Sequence, residues 1–406
     1  MALSWGTAMT SAGSLGVAPR SDWARWVDDG RLPRSGDGSG FGVDFATDLQ
    51  LLADHGLTSL RWGLDWARLE PFPGKWDRDA ADVVTEILRA ARAAGVEVWA
   101  VLHEGPLPGW FSEDQRGFAD DKGLGVTWPR HVDRVAEAFG DLVAGWVPVL
   151  DPFTRAAEGH LWGTRPPGRT DPETFTGTFR ELHLAGLAAW RLLASGEPPV
   201  AACLDVAPVS AGVTSREPDE RSEAQRRARV LDRLRWGVGV QALADGVLSV
   251  PGRGEVEIDG LAGAYDVVGF TYRGGVTVYA DGSTGPYPAD APVAADGRAP
   301  WPEELGVVIR RLADELPGRR LALLGTGVTA DEDDWRADVI GASAMEVDRA
   351  VGDGVPIDLA FWESGIDGWT PETGLDIPDG IVDRARHPRP SAAVLAAAAE
   401  RARLRA

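Results

Sequence analysis

Short apolar runs alternate with longer amphipathic ones along the chain. The short runs are Ser4–Met9, Ser59–Leu64, Glu97–His103, Trp146–Leu150, Val200–Val206, Asp266–Tyr272, Arg320–Leu324 and Pro356–Phe361. Their near-continuous hydrophobicity predicts strands buried on both faces, as in a parallel sheet. Helices are predicted between them over Asp44–His55, Asp79–Ala94, Arg130–Ala144, Pro172–Ala194, Arg221–Ala244, Pro302–Leu316, Trp335–Gly352 and Ser391–Leu404. Asp79–Ala94 is the clearest, with apolar residues at three-to-four spacing and Gly95 at the expected C-cap. Eight strand–helix units predict an α/β fold, a single (β/α)8 TIM barrel over residues 1–406.

The Gly/Asp/Pro-rich stretches Thr10–Gly42, Gly105–Thr127, Pro208–Pro218 and Gly274–Ala299 all follow strands. In a parallel barrel they belong to the face where sites are built. The 406 residues are 44% hydrophobic, enough for one large barrel core. The 41 Lys+Arg against 62 Asp+Glu give a formal charge of -21, which argues against nucleic-acid and anionic-membrane partners. Cys203, the single cysteine, lies in an apolar run and is expected to be a buried core thiol. Ala2–Thr10 already has the pattern of a first strand, so no secretory signal is expected and a cytoplasmic location is the default. The six histidines show no paired ligand spacing, so neither a metal nor a cofactor is expected, although His103 adjoins Glu104.

Several motifs are more specific. They are Leu60-Arg61-Trp62 with Trp66-Ala67-Arg68-Leu69-Glu70-Pro71; Leu102-His103-Glu104 with Leu107-Pro108-Gly109-Trp110-Phe111; and Trp146-Val147-Pro148-Val149-Leu150-Asp151-Pro152. Further along come Asp266-Val267-Val268-Gly269-Phe270-Thr271-Tyr272, Leu321-Ala322-Leu323-Leu324-Gly325-Thr326-Gly327-Val328, and Trp362 with Asp367. Together they resemble the strand-end segments of family 1 glycoside hydrolases, the β-glucosidase family. The resemblance implies the barrel, and it implies a retaining mechanism with one acid/base carboxylate and one nucleophilic carboxylate.

At the working positions the resemblance fails. Asp151 stands at the acid/base position, where the family has Glu, and Gly325 stands at the nucleophile position. Ser14 replaces the sugar-gripping Gln, Glu104 and Gly105 replace a His-Trp pair, and Thr370 and Pro371 replace Glu-Trp. What persists is Arg61, Tyr272 and Trp362. The expectation is therefore a degenerate member whose ordinary chemistry is lost. It would bind a glycoside or another small cyclic molecule through Arg61, Ser14, Asp205, Tyr272, Trp362 and Trp369. The alternative is an O-glycosyl hydrolase working through Asp151 with Glu104 or Glu363. Arg61 needs a carboxylate partner, with Asp65, Glu104, Asp151, Asp205 and Glu363 as candidates. Glycines at 105, 325 and 368 are expected to widen the pocket.

Overall fold

The computed structural model describes residues 3–114, 116–212 and 218–405. Eight parallel strands lie side by side: β1 (Ser4–Met9), β2 (Ser59–Gly63), β3 (Glu97–Val101), β4 (Gly145–Val147), β5 (Ala201–Val206), β6 (Val267–Tyr272), β7 (Arg320–Gly327) and β8 (Ile357–Glu363). Each neighbours its successor, and β1 pairs with both β2 and β8. A parallel bridge between Trp146 and Val200 joins β4 to β5 and closes the ring. This is a (β/α)8 barrel, the fold that the pattern predicts.

Strand alternation sorts the side chains into two layers. Val101, Val147, Ala201, Cys203, Ala322, Leu324, Leu359 and Phe361 fill the barrel interior. Their neighbours in sequence, such as Leu102, Leu204, Leu323 and Trp362, face the surrounding helices. The helix Arg78–Ala93 shows how those helices are specified. The Asp77 carboxylate accepts the Ala80 N–H at 3.0 Å as an N-cap, and Val84, Ile87, Leu88 and Ala91 form the buried face.

Two features depart from the pattern. The helix expected over Arg221–Ala244 is a helix Pro218–Asp232, a wide turn Arg233–Gly237 and a helix Val238–Asp245. The loops beyond β5 and β6 also build a small sheet from Val209–Ala211, Gly275–Val278 and Thr284–Tyr287 beside the barrel mouth.

Candidate active site

A cavity of about 160 Å³ opens among the C-terminal ends of the strands. Arg61 of β2, Glu104 beyond β3, Asp151 beyond β4, Arg273 beyond β6 and Glu363 of β8 all line it. The partner that a buried Arg61 requires is Glu363: Arg61 Nη2 donates to Glu363 Oε1 at 2.9 Å, and Nη1 donates to the Leu324 carbonyl at 2.7 Å.

Arg273 ties the centre together. Its Nε and Nη2 donate to Glu363 Oε2 and Oε1 at 2.8 and 2.9 Å, and its Nη1 lies 2.9 Å from Asp151 Oδ2. One planar guanidinium thus bridges the two carboxylates, a bidentate geometry that Lys could not reproduce. Burial would raise the Glu363 pKa, but Arg273 and Arg61 outweigh it and hold the carboxyl well below its usual range. The other Asp151 oxygen accepts from the Thr271 hydroxyl, and the Cys203 thiol lies 3.7 Å from it. Burial and the Asp151 charge push the Cys203 pKa well up, so it stays a thiol.

Glu104 is different. Its carboxyl lies over Gly63, where a β-carbon would come within 1.8 Å of Oε1. Oε1 accepts the Ser11 N–H at 2.6 Å, while buried Oε2 has no hydrogen-bond partner. Burial pushes the Glu104 pKa up to about 7, with Arg61 and the Ser11 amide only partly offsetting it. Asp379 at the far wall is likewise pushed by burial to about 7, although it accepts the Gly368 N–H at 2.9 Å. Arg155 bonds the Glu104 carbonyl at 2.9 Å and pairs with Glu158 at 3.1 Å.

Ser14 and Trp369 line the cavity. The Ser14 hydroxyl donates to the Thr10 carbonyl at 2.8 Å and accepts the Trp62 indole N–H at 3.0 Å. Trp369 packs on Trp23 with ring centres 6.0 Å apart. Asp205, Tyr272 and Trp362, expected as contacts, are not part of the wall. Asp205 is tied to Arg235 at 2.5 Å and to Thr154; burial would raise its pKa, but Arg235 and Arg273 bring it down. The Tyr272 hydroxyl turns away and donates to the Trp301 carbonyl at 2.6 Å. Trp362 is fully buried in the outer layer. For Tyr272 and Trp362 the cause is strand alternation: Thr271 and Arg273 face inward, so Tyr272 between them faces outward, and Trp362 is displaced in the same way by Glu363.

The expected vacancies are also filled. A β-carbon at Gly325 would lie 2.4 Å from Glu363 Oε1 and 3.0 Å from Arg61 Nη1; one at Gly368 would lie 2.8 Å from the Gly13 carbonyl oxygen. At Gly105 it would lie 3.2 Å from the Trp23 ring. The cavity is therefore narrow, below the roughly 300–1,000 Å³ of ordinary ligand pockets. The sequence pattern missed Arg273, Arg155, Thr271 and Asp379. Continuing the period of two one residue past Tyr272 would have placed Arg273 inside. Among the described residues, no group of three or more His, Cys, Asp or Glu side chains could hold a metal ion. No helix among them is long and apolar enough to cross a membrane.

A parallel eight-stranded barrel with acidic and basic groups gathered at its C-terminal mouth has the architecture of a (β/α)8 protein with its site at that face. Residues 38–238 match the model of glycosyl hydrolase family 1. The chain is 28% identical over 126 residues to Beta-glucosidase 34 of Oryza sativa subsp. japonica, a match covering 31% of this chain but only 24% of that protein. It is 23% identical over 423 residues to the 1,4-beta-D-glucan glucohydrolase of Thermotoga neapolitana, covering 93% of this chain and 96% of that one. The solved beta-glycosidase from Pyrococcus horikoshii superposes with a TM-score of 0.87 at 22% identity, covering 98% of this chain and 95% of that chain. That likeness shows the fold.

Proposed function

We propose that the protein binds a glycoside or a related small cyclic molecule in the barrel-mouth cavity and has lost the retaining chemistry of its family. The observation that carries this is the Arg273 guanidinium, which joins Asp151 to Glu363 while position 325 has no side chain. A retaining glycosidase needs a carboxylic acid free to give its proton and a carboxylate free to attack, about 5–5.5 Å apart. Asp151 is locked between Arg273 and Thr271, and two guanidiniums occupy Glu363. The likeness to β-glucosidases supports a sugar-like ligand, and Trp369 with the polar wall supports recognition of a polyol ring. The single buried Cys203 supports a cytoplasmic setting.

The test is a panel of 4-nitrophenyl glycosides followed with time, alongside thermal melts with the same sugars. The expected outcome is flat progress curves and a ligand-induced rise in melting temperature. Turnover that disappears in Asp151→Asn would overturn the proposal.

One observation favours a second reading, hydrolysis with Glu104 as acid and Glu363 as base or nucleophile. Their environments drive the two carboxyls apart, Glu104 up to about 7 and Glu363 well down. In that case the same panel gives turnover that both Glu104→Gln and Glu363→Gln abolish, whereas Asp151→Asn retains part of it.

A further inference from the structure

A second, wider groove lies beside the narrow cavity and shares part of its wall, Glu158, Arg273, Asp296, Arg298 and Glu372. It measures about 780 Å³, within the roughly 300–1,000 Å³ of ordinary ligand pockets. Its walls come from the helix Pro152–His160 and the turn after it, from the helix Pro218–Asp232, from the small sheet and from the loop 293–299. Trp162, Val230 and Val293 line it and stay 48%, 41% and 51% exposed. Exposed apolar side chains are ordinary when scattered; three converging on one concavity mark a place that an apolar body can fill.

Six guanidiniums line the groove as well, and five are occupied inside the protein. Arg165 donates to Glu372, Arg235 to Asp205, and Arg273 to Glu363, with Asp151 beside it; Arg226 and Arg227 both donate to Glu223. Arg298 is the exception. Its one ionic contact, with Asp296, is long at 3.7 Å, and its guanidinium donates no hydrogen bond among the described residues. The backbone under it is pinned: the Arg298 N–H donates to Asp296 Oδ1 at 3.0 Å, and its carbonyl accepts the Ala294 N–H at 2.7 Å. A fixed base thus carries a half-exposed guanidinium with its fork of donors open, on the boundary between the groove and the narrow cavity.

We propose that the groove is a binding site in its own right for a small aromatic carboxylic acid, with the ring against Trp162, Val230 and Val293 and the carboxylate held by the Arg298 fork. A flat ring buries much apolar area and pairs well with an indole. A carboxylate matches the planar guanidinium and makes charge-assisted hydrogen bonds to it. A neutral or cationic analogue keeps the first contact and loses the second. The site does not depend on a sugar entering the narrow cavity.

Calorimetric titration at neutral pH with cinnamate, cinnamamide and cinnamylamine tests it, because the three share one skeleton and differ in charge. Cinnamate is expected to bind about tenfold tighter than the amide, and the amine weakest of all. Arg298→Gln should bring cinnamate down to the level of the amide, whereas Trp162→Ala should weaken both alike. Equal binding of acid and amide, a cinnamate advantage that survives Arg298→Gln, or no cinnamate binding at all overturns the inference and leaves the glycoside reading untouched. Unchanged affinity for both probes in Trp162→Ala overturns the placement of the ring. If Arg298→Gln fails to fold, the order on the unaltered chain decides alone, and any order other than acid before amide before amine counts against the site.

Discussion

At position 325 the chain has no room for a side chain. The Glu363 carboxylate, delivered from the neighbouring strand, occupies the space into which a residue at 325 would project, and Arg61 closes it from the other side. Gly325→Ala is therefore expected to push Glu363 off its guanidiniums and to destabilise the fold by about 1–3 kcal/mol, seen as a lowered melting temperature. An unchanged melting temperature would show that Glu363 moves aside freely. The identity of position 325 was legible in the sequence, but its cause was not. A glycine in a motif signals a missing side chain and does not reveal that another strand has filled the space. Arg273 was hidden for a related reason, because it stands just past the last apolar residue of its strand, where the hydrophobic pattern gives no signal.

At the level of elements, the positions of all eight strands followed from hydrophobic runs, because strands buried on both faces leave a continuous apolar signature. The side on which each residue falls did not follow, because alternation within such a run is invisible when both faces are apolar. The resemblance assigned Tyr272 and Trp362 to the cavity, and each faces the outer layer. This gives a paired prediction. Tyr272→Phe should lose the hydrogen bond to the Trp301 carbonyl, costing about 1 kcal/mol of stability, and leave ligand affinity unchanged. Trp369→Ala should weaken ligand binding, read as a smaller ligand-induced rise in melting temperature, because its ring lines the cavity. Loss of affinity in the tyrosine variant would mean that the outer layer shapes the site. The small sheet over Val209–Ala211, Gly275–Val278 and Thr284–Tyr287 was also unread, because its short, half-exposed strands sit in stretches rich in Gly, Asp and Pro.

For the whole molecule, two sets of buried groups act on stability in opposite directions with pH. His103, His160 and His183, with pKa values lowered to about 3, 4 and 4 chiefly by burial, and His131, also lowered well below its ordinary value by burial, are neutral when folded. Their contribution is complete above the unfolded histidine value of about 6.5 and is lost as pH falls. Asp22, Glu104 and Asp379, raised to about 7 by burial, behave in the opposite sense. They hold protons when folded, so their contribution is complete below about pH 4 and is lost as pH rises through 7. Below about pH 6.5 the two sets oppose each other, and between about pH 6.5 and 7 only the acids act, so they lower stability there as pH rises. Glu104→Gln removes one of these carboxyls and should make that fall shallower in a series of melts. A fall that is unchanged would show that Glu104 titrates at its ordinary value.

The bridging guanidinium has a consequence for redesign. Arg273 and Arg61 hold the Glu363 carboxylate in the space beside position 325. A glutamate placed there by a single substitution would meet an anion already in place. A designer seeking to seat a carboxylate at 325 would have to remove Glu363 first and let the new side chain inherit its two guanidiniums.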